Sequence, residues 1–145
     1  AYARALTRGN HFGGAASGAK LDVVRRNRDQ QLEQLRLARE LGVAVAVGTD
    51  AGSLGVDHGR AVTEEMGLLA QAGYSIGAVV RAATWNGARL IGLEDRGCLK
   101  TGQRADFVAV EGPPETLLQH MGAPKAVFLL GKPAPLNARF YPPSV

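Results

Sequence analysis

Few side chains in this sequence are of types that do chemistry, and one carboxylate stands out by its position. Asp50 lies in Gly48-Thr49-Asp50-Ala51-Gly52, just beyond the apolar run Val43-Ala44-Val45-Ala46-Val47. In folds of alternating strands and helices, reacting groups sit on the loops that follow the carboxyl ends of strands. A carboxylate there can ligate a metal through one oxygen and take a proton from bound water with the other. Gly48 and Gly52 let the backbone approach a ligand closely, and Ala51 leaves space beside the carboxylate. The same residues also suit a plain turn. Asp50 or Thr49 could cap the next helix, or the carboxylate could organise an Asx turn. One aspartate after one strand does not decide between these readings.

His58, in Val56-Asp57-His58-Gly59, follows on the same loop. It could orient a substrate or donate a proton, although its spacing alone favours an ordinary histidine at a helix N-terminus. Asp57 could pair with Asp50, but the sequence carries no distance. His11 and His120 are isolated. Neither His-x-His nor His-Glu-x-x-His occurs, so the sequence holds no self-sufficient zinc site. Cys98, the single cysteine, excludes a disulfide framework and favours a reducing compartment. Between Gly97 and Leu99 it reads as a small core residue rather than a nucleophile.

These residues need elements to position them. Leu21, Val24, Leu32, Leu35, Ala38 and Leu41 recur at helical spacing, predicting an amphipathic helix over 20–41 with Gly42 as its stop. Val43 to Val47 follows without polar alternation, the pattern of a strand covered on both faces. A second helix is expected from Arg60 to Ala72, ended by Gly73. Ser75 caps a third, with Ile76, Val79, Val80 and Ala83 on its apolar face. Thr84 is expected to cap a short fourth through Trp85, Ala88 and Ile91, stopped by Gly92. Beyond it the pattern changes to short strands: Gly97 to Leu99, Ala105 to Val110 and Ala126 to Leu130, with a helical turn near Glu115 to His120. Residues 1–19 read as loop, and Pro133 to Val145, with four prolines, as an extended surface tail.

At 145 residues and 46% hydrophobic content the sequence supports an ordinary globular core. Its net charge of +4 is spread out apart from Arg25-Arg26-Asn27-Arg28, and aromatics are only 6%. A basic helix face without stacking side chains argues against a nucleic-acid partner. No apolar run reaches the length of a membrane span, and no secretory signal is visible.

Three motifs, taken in order, resemble the C-terminal part of the amidohydrolase superfamily, especially its imidazolonepropionase-like and prolidase-like metal-dependent members. The first is Gly48-Thr49-Asp50-Ala51-Gly52 with His58-Gly59. The second is Ala83-Thr84-Trp85-Asn86 with Ala88, Leu90, Gly92 and Leu93. The third is Gly97-Cys98-Leu99-Lys100-Thr101-Gly102-Gln103-Arg104-Ala105-Asp106, then Val108, Val110 and Gly131-Lys132. The likeness runs over residues 32–132.

The resemblance implies an α/β architecture: the last part of a (β/α)₈ TIM barrel over 1–92, then strands of a small composite β-sandwich and a tail over 93–145. Val43 to Val47 would be the eighth barrel strand. Asp50 would be a metal ligand and the general base, and His58 a substrate contact. Ala105-Asp106 would be structural. The implied reaction is hydrolysis of a C–N bond, amide or cyclic amide, in a small-molecule substrate, with a divalent metal, zinc, in the complete enzyme. The family's other ligands come from earlier barrel strands, so the sequence is expected to be a C-terminal fragment that binds no metal tightly by itself. An N-terminal partner chain carrying a His-x-His would complete it; a homo-oligomer is the other assembly considered. The alternative is a non-catalytic assembly module that pairs with another chain. A cytoplasmic location and no membrane partner are expected.

Overall fold

The computed structural model describes residues 18–53 and 56–136. His11, residues 1–17 of the loop expected over 1–19 and most of the proline-rich tail lie outside the described residues; Gly18 and Ala19 belong to the first helix rather than to that loop. The architecture is mixed: helices come first in the chain and a small antiparallel sheet follows. Among the described residues, no helix is long and apolar enough to cross a membrane.

Helix α1 spans Gly18–Glu40. Its end is made by Gly42, whose φ of 68° closes the last turn without a Cβ penalty. Helix α2 is Arg60–Gln71, ended by Gly73 at φ 88°. Helix α3, Ile76–Arg81, is capped by Ser75, whose hydroxyl accepts from the Ala78 N–H at 3.3 Å. These boundaries follow the sequence pattern closely because each stop needs only a local residue type.

Thr84 departs from expectation. The chain does not restart a helix there but continues from α3 through a wide π turn, Ala82–Asn86, into α4, Gly87–Leu90. Thr84 therefore sits inside a helix, and its hydroxyl donates back to the Val80 carbonyl at 2.8 Å, the usual bond for a mid-helix threonine.

The core forms where these helices meet. Met66, Leu69, Val79 and Ala82 are buried, and Leu35, Val45, Val47, Tyr74, Leu118 and Met121 pack on them. Val79 is fully enclosed; burying a side chain of that size stabilises by roughly 1.5–3 kcal/mol. Two polar ties join α1 to the turn after α2. Tyr74 donates its hydroxyl hydrogen to the Leu35 carbonyl at 3.0 Å, and the Arg39 guanidinium donates to the Gly73 carbonyl.

Val43 to Val47 was expected as a strand. It runs against the core at Val45 and Val47 but forms no ladder with any described residue. A strand is a property of a pair, and apolar patterning cannot supply a neighbour. Gly97 to Leu99 is likewise a bend rather than a strand. A Cβ at Gly97 would meet the Trp85 Cα at 2.9 Å and the Ala88 Cβ at 3.1 Å, so this segment lies flat on the π turn and α4 instead of pairing.

The sheet holds β1 (Phe107–Ala109), β2 (Ala126–Leu129) and β3 (Lys132–Ala134), in that order. Both pairings are antiparallel, with Phe107 opposite Phe128 and Leu129 opposite Lys132. The two phenyl rings stack with centroids 4.5 Å apart. The turn Leu130-Gly131 has φ of 54° and 74°, the left-handed pair that a two-residue hairpin requires. Between β1 and β2 a 3₁₀ turn, Pro114–Thr116, leads into α5, Leu117–His120. Strand β3 falls in what the sequence suggested was tail. Its Pro133 is tolerated because, among the described residues, β3 is paired on one side only, to β2.

Candidate functional site

The loop carrying Asp50 is built from the core outwards. Val45 and Val47 are half-buried against Met66 and Leu69, so their side chains anchor the segment while its far end, Gly48 to Gly52, emerges at the surface. Asp50 then adopts a φ of 47°. Left-handed backbone is uncommon outside glycine, and aspartate and asparagine are among the residues that tolerate it. The loop closes through a series of bonds: Ser53 N–H to the Asp50 carbonyl at 3.4 Å, Val56 N–H to the Ser53 carbonyl at 2.9 Å, and Gly52 N–H to the Val56 carbonyl at 3.0 Å. Its second positive-φ residue is Gly52, at 103°.

The capping alternative does not hold. The residue that begins α2 is Gly59, and no side chain caps that end. The Asp50 carboxylate instead accepts a hydrogen bond from the Ser53 hydroxyl at 3.2 Å. One oxygen is thereby oriented, and the exposed carboxylate keeps acceptor capacity toward solvent or a ligand.

His58 is brought to the same place. A Cβ at Gly52 would stand 3.3 Å from the His58 Nε2 and 3.7 Å from its Cε1. The imidazole thus lies against the bare α-carbon two residues beyond Asp50, and any side chain at position 52 would crowd it. Sequence spacing placed both residues on one loop; only the folded loop puts the ring beside the turn. The other candidates are elsewhere. His120 is on α5, with its Nδ1 3.0 Å from the Thr116 carbonyl. Cys98 lies in a shallow hollow with Trp85, Thr84, Val80 and Gly77.

Asp50 and His58 do not by themselves fit a metal. Among the described residues, no group of three or more His, Cys, Asp or Glu side chains converges on a point, and a catalytic zinc takes three protein ligands.

A pocket of about 160 Å³ lies beside the segment that leads into the loop, walled by Arg28, Leu32 and Leu35 of α1, Glu65 and Leu69 of α2, and Val45 to Gly48. Burial pushes the Glu65 carboxyl above its ordinary value, and the like charge of Glu64 adds to the shift. Sequence periodicity had no means of singling out Glu65, because α2 carries two adjacent glutamates, Glu64 and Glu65, and pattern alone does not say which lines the pocket.

The second motif also acquires a function in the fold that residue types did not suggest. Asn86 donates its side-chain N–H to the Val45 carbonyl at 2.7 Å, and the Ala82 carbonyl accepts from the Val47 N–H at 3.1 Å. The third motif is structural. Asp106 accepts from the Leu130 N–H at 2.7 Å and pairs with Arg104 at 2.7 Å, steadying the β2–β3 turn. Its carboxyl is held below the ordinary value, first by the Leu130 N–H and then by Arg104. The basic cluster on α1 is compensated locally, Arg25 by Asp22 and Arg28 by Asp29, on an exposed face.

Comparison with known proteins places these residues in context. A family model described as the amidohydrolase family matches residues 15–135. An uncharacterized protein of Mycobacterium tuberculosis is 36% identical over 101 residues, covering 66% of this chain and 24% of the relative. An uncharacterized protein of Mycobacterium bovis matches to the same extent. The aligned stretch therefore spans about a quarter of the length of these relatives.

Proposed function

Because the chain belongs to the amidohydrolase family, we propose that it forms the C-terminal part of a metal-dependent amidohydrolase barrel that hydrolyses a C–N bond in a small amide or cyclic amide. The observation that carries this reading is the surface turn holding Asp50 at φ 47° with the His58 ring against Gly52. The Asp50 carboxylate and, against Gly52, the His58 imidazole stand on one loop at the open end of an apolar segment, where barrel chemistry belongs. Asp50 is the general base and one metal ligand, oriented by Ser53; His58 contacts the substrate. A divalent metal, zinc by resemblance, supplies Lewis acidity when bound. Its remaining ligands come from outside these residues.

Exposed apolar side chains favour a second, compatible feature, pairing with further polypeptide. Leu90, Ile91 and Leu99 are 69–76% exposed and Val43 54%. Ala44, Ala46 and Gly48 make no backbone–backbone bond with a described residue. Such an edge is a template for a neighbouring strand. If pairing were its whole purpose, the chain would be an assembly module without chemistry.

The test is metal content and amide hydrolysis, measured on the chain alone and after co-expression with the part of the mycobacterial relative that lies outside the matched region. The chain alone is expected to bind zinc substoichiometrically and to hydrolyse nothing. Co-expression should yield a defined complex that retains zinc and hydrolyses amides, and Asp50→Asn should abolish turnover. Stoichiometric, tightly held zinc in the chain alone refutes the shared-site reading. A stable complex without zinc or hydrolysis leaves only the assembly module.

A further inference from the structure

We infer that Asn86 is a positioning residue for the Asp50 turn, acting through the backbone of Val45 to Val47. The inference rests on the assignment of Asp50 under the proposed function, but its geometry stands apart from it. Among the described residues, no hydrogen bond joins the Asn86 side chain to Asp50 or His58. It is the last residue of the π turn that interrupts the helix running from Ile76 to Leu90, and π turns recur where a helix is shaped for a function. The two ends of this turn grip the apolar segment. Ala82, 2% exposed in the core, offers its carbonyl to the Val47 N–H at 3.1 Å. Asn86 donates to the Val45 carbonyl at 2.7 Å in a part-buried setting.

Residues 45 and 47 are two apart, the period at which an extended chain presents its groups to one side. Among the described residues, these are the only hydrogen bonds that tie the backbone of 44–48 to another element. A segment without a ladder has no other polar means of holding its register, and a shift at Val47 is passed directly to Asp50, three residues on. The π turn widens the helix so that a side chain and a carbonyl from its two ends meet the same segment. An asparagine suits this position because it is short and presents a donor. An aspartate of the same shape, when ionised, would face the Val45 carbonyl with no donor.

The experiment uses the isotope-labelled chain. In the wild type, a through-hydrogen-bond scalar coupling between the Asn86 side-chain nitrogen and the Val45 carbonyl carbon is expected. Asn86→Ala and Asn86→Asp should speed hydrogen exchange at the Val47 N–H by about tenfold, the scale of losing one part-buried bond. They should also move the backbone shifts of Thr49 to Gly52 and the Asp50 carboxyl-carbon shift. Thr84→Val, which removes a bond inside the same helix, should leave both signals at their wild-type values. In a hydrolytically active complex, the two Asn86 variants should lower kcat about tenfold or more while KM holds within twofold.

Absence of the coupling in the wild type, which needs no variant to fold, would overturn the inference. So would Asn86 variants that leave the turn unmoved, or Thr84→Val moving it equally. The exchange and shift measurements use neither metal nor substrate. Loss of the hydrolase reading would leave the tether intact, and loss of the tether would leave the hydrolase reading standing.

Discussion

Gly97 is the residue whose replacement tests the packing of the third motif most directly. Its φ is 93°, and a Cβ there would stand 2.9 Å from the Trp85 Cα, 3.0 Å from the Thr84 carbonyl oxygen and 3.1 Å from the Ala88 Cβ. Two of these contacts are backbone atoms of the π turn and cannot rotate away. Gly97→Ala thus carries two costs: about 1–2 kcal/mol for a left-handed alanine and about 1–3 kcal/mol for overpacking. Together they predict a loss of about 2–5 kcal/mol, a large share of the roughly 5–15 kcal/mol that holds an ordinary domain. Gly102 supplies the control. Its φ is 83°, but nothing lies within 4 Å of its added Cβ, so Gly102→Ala should lose only the conformational part, about 1–2 kcal/mol. Urea unfolding followed by far-UV circular dichroism measures both. Trp85, the single tryptophan, gives a local fluorescence signal beside the clash, and the Arg89 guanidinium lying 4.2 Å over its ring should shift with it. If Gly97→Ala costs no more than Gly102→Ala, the segment does not lie tightly on the helix and the reasoning fails.

Two pH predictions follow from opposite shifts. The Glu65 carboxyl is raised from 4.5 by burial; the native state therefore binds its proton more tightly than the unfolded chain does, and this contribution to stability is full below 4.5 and lost as pH rises through the raised value. Glu65→Gln should stabilise the chain at neutral pH and flatten that decline in urea melts; an unchanged pH profile would remove the pocket's effect. Asp106 is lowered from 3.8 by the Leu130 N–H and Arg104, so its contribution is present above 3.8 and lost as pH falls through the lowered value. Asp106→Asn should weaken that acid dependence and loosen the β2–β3 turn, seen as faster hydrogen exchange at the Leu130 N–H. An Asp106→Asn chain with wild-type acid unfolding and exchange would show that the turn does not depend on the carboxylate.

The division between sequence and tertiary structure follows from what each feature depends on. Gly42, Gly73, Gly92 and Ser75 were legible because a helix end is a local event set by one backbone conformation or one hydroxyl. Asp50 and His58 were legible as chemistry-bearing types on one loop, and the order of three motifs identified the family that the match over residues 15–135 then showed. Neither local types nor order could reveal the Ser53 bond that displaces the capping reading, nor the imidazole lying on Gly52. Those are distances across a loop.

Val43 to Val47 was read as a strand from its apolar run, but it becomes one only with a partner, and it meets the π turn instead. Thr84 looked like a cap because a threonine before a short apolar run usually is one; the preceding helix simply continued through it. Strand β3 was hidden by Pro133 until pairing on one edge made that proline harmless. By itself, then, the sequence determined where the glycine- and serine-marked helix ends fall, which side chains are of reactive types and which family the chain belongs to. Tertiary structure decided which groups meet, because the bonds that hold Asp50, Asn86, Asp106 and Gly97 in place each reach an element that pattern alone does not locate.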